Sequence, residues 1–273
     1  MAKVISFGLQ KGGVSKTTTT GVLAHLMSED QHKVLAVDMD SQGNLTELLT
    51  NQSANNFFDR SVFEAIAYKQ PEQYIYKVNE NLHVLPANNF LASFSRWLYT
   101  DLLPHTEQGE IKVTYKGAQA NQLNLTLEII KDQYDYILID TPPALSEQTT
   151  NALVASDYVV VLFEASKFCY SAIPNFMETV AHVQSIVDLD VLGILRTLND
   201  NRRKDAHFFN ERIANDYPEL VFDTVITRKA STGRLPLKGF EENDELGDAI
   251  DQFKSFYKEL MGRMKEKGEE TNG

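Results

Sequence analysis

Along this chain short apolar runs alternate with longer amphipathic stretches. Lys3–Phe7, Val34–Val37 ahead of Asp38, Leu82–Leu85, Tyr136–Ile139 ahead of Asp140, Tyr158–Phe163, Val191–Leu195 and Val221–Ile226 are strand-length. They lack the polar alternation of a half-exposed strand and so predict strands buried on both faces. Between them, Thr17–Glu29, Ser61–Tyr68, Asn121–Lys131, Ala172–Val187 and Lys204–Asp216 have helical length. Strand and helix in alternation predict an α/β fold, a single domain whose mostly parallel central sheet is flanked by helices. In such sheets ligands bind beyond the carboxyl ends of the strands, and the polar motifs fall there.

The pattern weakens over 88–122, where a helix-like run through Trp97 gives way to the polar stretch 105–117. Trp97 is expected to be an aromatic packing anchor. Near the end, Leu246, Ile250, Phe253, Phe256, Tyr257, Leu260, Met261 and Met264 form an apolar helical stripe, expected to dock on the domain. Residues 1–264 make the domain, and the polar tail 265–273 is expected to fray.

The 273 residues, 42% of them hydrophobic, bury a sizeable core in one domain. A lone cysteine, Cys169, excludes a disulfide framework, and six scattered histidines lack metal-ligand spacing. The start, MAKVISF, reads as neither a signal peptide nor a membrane span, so a cytoplasmic setting is expected. The net charge of −12 confines any binding to nucleic acid to a local patch. Between Arg196 and Lys238 nine Lys/Arg face six Asp/Glu, a reversal of the overall balance.

Residues 9–18 read LQKGGVSKTT, between the first strand and the first helix. A strand entering a glycine-rich turn that opens a helix holds phosphate, because unpaired N–H groups and the helix dipole converge on the anion. Against G-x-x-x-x-G-K-[ST], Gln10 and Ser15 stand where glycines are expected, while Lys16-Thr17 match the terminal pair. If position 15 needs a positive φ, serine there costs about 1–2 kcal/mol.

A second lysine, Lys11, followed by Gly12-Gly13, makes the stretch similar to the deviant phosphate loop of the ParA/MinD ATPases. VDMDSQGN (37–44) resembles that family's first switch, with Ser41 in place of proline. YILIDTPP (136–143) resembles its Walker B strand and second switch, and VFDTVITR (221–228) the strand leading into the loop over the adenine. The resemblance implies ATP and Mg²⁺ as cofactors and contacts to the nucleotide from Lys11, Gly12, Gly13, Val14, Ser15, Lys16, Thr17, Thr18, Asn199 and Pro236. Lys16 would reach the β- and γ-phosphates. Thr17 and Asp140 would hold Mg²⁺, Asp140 through water. Asp40 would orient the attacking water, and Lys11 would act across a dimer interface as an arginine finger does. Asp38 would take a direct part or only orient the loop.

By the same resemblance the protein is an ATPase that forms an ATP-dependent homodimer, binds DNA without sequence preference and answers to a ParB-like centromere-binding partner, on the nucleoid rather than a membrane. Arg202, Arg203, Lys204, Arg228, Lys229, Arg234 and Lys238 are the candidate DNA contacts. A MinD-like membrane regulator of division and a positioner of protein cargo are the alternatives. A nitrogenase-reductase-like role lacks the cysteines it needs. A non-hydrolysing ATP-binding module is the remaining reading, motivated by Ser15 and Ser41.

Overall fold

A single eight-stranded sheet runs through the computed structural model, which describes residues 1–101, 118–200, 202–241 and 243–270. Its strands are β1 (Lys3–Gly8), β2 (Val34–Asp38), β3 (Tyr76–Lys77), β4 (Leu82–Leu85), β5 (Tyr136–Asp140), β6 (Tyr158–Glu164), β7 (Asp190–Asn199) and β8 (Val221–Thr227). They lie side by side in the order β3-β4-β2-β5-β1-β6-β7-β8. All pairs are parallel except the short edge strand β3, which runs against β4 and which the apolar pattern misses.

The central strands are apolar throughout because successive side chains enter two different cores. Ile5, Ala36 and Leu138 point into one cluster, while Val4, Val37 and Ile139 point into the other. The described helices are α1 (Lys16–Glu29), α2 (Asn44–Thr50), α3 (Val62–Tyr68), α4 (Phe94–Thr100), α5 (Gln122–Leu127), α6 (Glu147–Val154), α7 (Lys167–Gln184), α8 (Lys204–Asp216), α9 (Ala230–Lys238) and α10 (Leu246–Glu270). Residues of α1, α2, α7 and α10 supply the first core, and those of α3, α4 and α5 the second. Trp97 packs as expected, edge-on to Phe63 at 5.8 Å and stacked on Phe94 at 6.0 Å.

Several expectations are corrected. α2, α6 and α9 lie in stretches too short or too polar for a clear helical period. α7 begins at Lys167, five residues before the apolar period does, because Ser166 caps it by accepting the N–H of Cys169. α5 ends at Leu127 rather than Lys131, breaking into a short 3₁₀ turn at Lys131–Gln133. The stretch 105–117 and residues 271–273 lie outside the described residues. The remainder of the expected frayed tail is helix, since α10 runs to Glu270 and Lys267 lies 3.5 Å from Asp190.

α10 docks its stripe on the domain: Phe253, Phe256 and Leu260 are fully buried. Arg263 completes the seam by donating to the carbonyls of Leu192, Leu220 and Val221, with its guanidinium 4.0 Å from the Phe222 ring centroid. Gly193 makes room for it: at φ +154° it sits where a Cβ would lie 2.3 Å from the Leu220 oxygen and 2.5 Å from the Arg263 guanidinium.

Candidate functional site

Three neighbouring strands end together. β2, β5 and β1 are adjacent in the sheet, and their register sets Asp140 beside both Asp38 and Phe7. The loop from β1 to α1, the turn after Asp38 and the turn after Asp140 therefore surround one cavity of about 340 Å³.

The loop over this cavity turns sharply at its entry, with the Lys11 N–H donating to the Leu9 carbonyl at 2.7 Å. Gly13 (φ 77°) and Ser15 (φ 64°) are left-handed, so Ser15 occupies a conformation that a glycine would take without strain. Ser15 directly precedes α1 and makes no side-chain cap, so no cap side chain occupies the first-turn N–H groups, which suits an anion. Of the candidate site residues, Gly12, Gly13, Val14, Ser15, Lys16, Thr17 and Asp40 line the cavity, with Thr18 one residue further into α1.

Lys16 is buried, and its ammonium donates to the loop's own carbonyls, Lys11 O at 2.9 Å and Leu9 O at 3.4 Å. Burial lowers its pKa, against the opposing pull of Asp140 and Asp40. The Thr17 hydroxyl donates to Asp140 Oδ2 at 2.6 Å. Asp140 has no solvent exposure, and its other oxygen, Oδ1, is buried with no hydrogen-bond partner. Burial, then the nearby Asp38 carboxylate, pushes the Asp140 pKa well up, partly offset by Thr17 and Lys16. A hydroxyl beside a buried carboxylate with a spare oxygen suits a hydrated Mg²⁺, a hard cation that takes few carboxylates and keeps its waters.

Asp38 has a different task from Asp140. Its Oδ2 accepts from the Thr46 N–H (2.9 Å) and hydroxyl (2.8 Å), and its Oδ1 accepts the Asp40 N–H at 3.1 Å. It thereby fixes the switch turn and the first turn of α2. Burial raises its pKa to about 6 in spite of those bonds. Gly43 closes the turn at φ +67°, where a Cβ would stand 2.4 Å from that of Ala54.

Gln42, Asn44, Thr141 and Pro143 also line the cavity, and sequence reasoning missed them as site residues. Each lies inside one of the two aspartate motifs, 37–44 or 136–143, which was the available signal. Thr141 is tied to β1 through its hydroxyl, which donates to the Phe7 carbonyl at 2.7 Å.

Asn199 and Pro236 do not line the phosphate cavity. Asn199 ends β7, where Asn210 donates to its side-chain oxygen at 2.8 Å. Pro236 is exposed near the end of α9, a helix packed on α10 and α2. Lys11 stands outside the cavity too, its ammonium 5.7 Å from the ring centroid of Phe168, which is 74% exposed at the start of α7.

The seven cations expected to contact DNA lie on three elements and their flanks, and six of them face carboxylates. Arg202 makes two 2.9 Å bonds to Asp200. Arg203 pairs with Asp205 and, at 3.9 Å, with Glu164, which Arg228 approaches to 3.7 Å. Lys229 reaches Asp248 at 2.9 Å, Arg234 reaches Glu245 at 2.8 Å and Lys238 reaches Asp244 at 2.6 Å. Lys204 is exposed at the start of α8. The local excess of positive charge read from the sequence is thus balanced by acids folded against it.

A protein-family profile described as an AAA domain matches residues 2–191. The sporulation initiation inhibitor protein Soj of Bacillus subtilis is 32% identical over 243 residues, 88% of this chain and 89% of Soj. Among solved structures, a putative plasmid partition protein of Borrelia burgdorferi bound to AMPPNP superposes with a TM-score of 0.75 at 25% identity, covering 98% of this chain and 100% of that one. A cobyrinic acid a,c-diamide synthase of Mycobacterium smegmatis with bound ADP and magnesium superposes with a TM-score of 0.72 at 30% identity, covering 84% and 88%.

Proposed function

From the premise that the chain belongs to the ParA/MinD-type P-loop ATPases, we propose that it is a partition ATPase whose ATP-bound dimer binds DNA without sequence preference. A ParB-like centromere-binding protein is its proposed partner in stimulating hydrolysis, and the nucleoid its proposed location. The observation that carries this reading is the separation of the two loop lysines. Lys16 is buried under its own loop, whereas Lys11 lies outside the cavity over an exposed ring, available to a second copy.

In this reading Lys16 and the N–H groups of the loop bind the phosphates, Thr17 and Asp140 hold Mg²⁺, and Asp40 orients the attacking water. Bound Mg²⁺ neutralises charge that develops on the phosphates. Lys11 adds a cation from the second subunit, so hydrolysis is tied to dimerisation. The nucleotide and magnesium in the Mycobacterium relative support the same cofactors here.

The test is binding of the purified protein to a non-specific duplex with ATP, ADP or no nucleotide, at two salt concentrations, beside Lys11→Ala. Binding that requires ATP, weakens with salt and disappears in Lys11→Ala is the expected result. Failure to bind while ATP-dependent dimers still form would refute the DNA reading. A MinD-like role would need α10 free for a lipid surface, but its apolar stripe is buried in the domain. Liposome co-sedimentation with ATP is therefore expected to be negative.

A further inference from the structure

The three cations at the β8–α9 end of the molecule are paired with one short acidic segment in reverse order. Moving forward along α9, Lys229, Arg234 and Lys238 meet Asp248, Glu245 and Asp244 in turn, all within 2.9 Å. The two segments therefore lie antiparallel, like the halves of a zip. Two hydroxyls reinforce that alignment: that of Ser231 donates to the Asp248 carboxylate, and that of Thr232 donates to the Ala249 carbonyl at 2.7 Å.

Two of the three acids are open to solvent, with Asp244 83% and Asp248 66% exposed in their side chains, while Glu245 between them is 31% exposed. Pairs of this kind are weak in water and readily exchange partners. On a chain of net charge −12, uncovered cations would be among the few places to attract a polyanion, and here they carry their own carboxylates.

We propose that the start of α10 and the residues just before it act as a built-in counter-ion for α9, so that this face accepts duplex phosphate only by exchanging its own carboxylates for it. The proposal rests on the DNA-binding reading above and adds a control to it. A phosphate that meets a cation whose displaced carboxylate stays tethered beside it is neutralised only in part, so fewer of the condensed counter-ions of the DNA are released. The affinity of the wild-type protein is therefore lower, and its dependence on salt shallower, than the number of cations touching phosphate implies.

The experiment compares the wild-type chain with a triple variant, Asp244→Asn, Glu245→Gln and Asp248→Asn, for binding of a non-specific duplex with ATP over a range of salt. A second triple variant, Glu72→Gln, Asp132→Asn and Glu178→Gln, makes the same change in net charge at exposed positions on elements not packed against α9. The first variant is expected to bind about tenfold tighter at low salt, with a plot of log K against log salt steeper by up to about 2.7, or 0.9 for each uncovered cation. Adding Lys229→Ala, Arg234→Ala and Lys238→Ala should abolish the gain. Equal slopes in wild-type and first variant, or an equal gain in the second variant, would overturn the proposal while leaving DNA binding intact. Absence of binding by every protein, with circular dichroism showing all of them folded, would overturn both.

Discussion

Asp38 and Asp140 stand side by side at the ends of β2 and β5, in register and fully buried, yet only Asp38 has both carboxylate oxygens satisfied by hydrogen bonds. Two carboxylates at this separation in a dry environment are unfavourable together unless one is matched by a cation or holds a proton.

Asp38 sets a pH dependence. An unfolded aspartate ionises near 3.8 and the folded one near 6, so between those values the folded protein holds a proton that the unfolded chain has released. Stability contributed by this residue is full below the lower value and is lost as pH rises through the upper one, by about 3 kcal/mol at most for a shift of some two units. Denaturant unfolding of the metal-free wild type and of Asp38→Asn should show the wild type losing ground to the variant from pH 4 to pH 6.5.

Asp140→Asn should separate folding from function. Burial disfavours the ionised form of this carboxylate, so the melting temperature of the metal-free variant is expected to rise relative to the wild type as pH increases. The same change should weaken magnesium-dependent nucleotide affinity by about 10–100-fold, as loss of a metal-site partner does. Calorimetry with ATP analogue, with and without EDTA, reads both effects.

Ser15→Gly should stabilise the protein slightly. Relief of the left-handed penalty, about 1–2 kcal/mol, exceeds the extra freedom of glycine in the unfolded chain, about 0.4–1 kcal/mol. Affinity for ATP should stay within a few-fold. Complete loss of binding would show that the serine side chain, rather than the backbone conformation, makes the loop.

Arg263→Ala should cost about 2–4 kcal/mol, because it removes the bonds to three carbonyls, of which Leu220 alone is shown to keep another donor, the Ile194 N–H, and uncovers Phe222. Arg263→Lys should recover little, since one ammonium does not span the positions of a planar fork. Urea unfolding measures both variants. ATP affinity at temperatures well below the transition should be unchanged, as this seam is on α10 and not at the phosphate loop.

Much of the candidate site is legible in the sequence because strand ends and glycine turns leave local marks. Asp38, Asp140 and the 9–18 loop follow apolar runs that only a doubly buried strand explains. α2, α6 and α9 were illegible because they hold few buried residues and take their place from tertiary packing. The charge pattern misled for a similar reason. Lys229, Arg234 and Lys238 make a basic excess when counted up to residue 238, but the acids that meet them begin at Asp244, beyond the stretch counted. Pro236 was drawn to the nucleotide by motif analogy, and helix α9 keeps it on the outer surface.

Seven strands pointing one way give the molecule a polarity that reaches past binding. Near the carboxyl ends of the central strands lie the backbone strain of Ser15, the buried charges of Asp38 and Asp140, and the glycine-dependent turn at Gly43. Further back along the same strands are Val4, Ile5, Leu35 and Ile137, which only fill space. Tolerance to change is therefore graded along a single axis, and one half of each central strand can drift among apolar residues while the other is held to particular atoms. Such a scaffold acquires a new task by rewriting its rim, with the folding instructions left in place behind it.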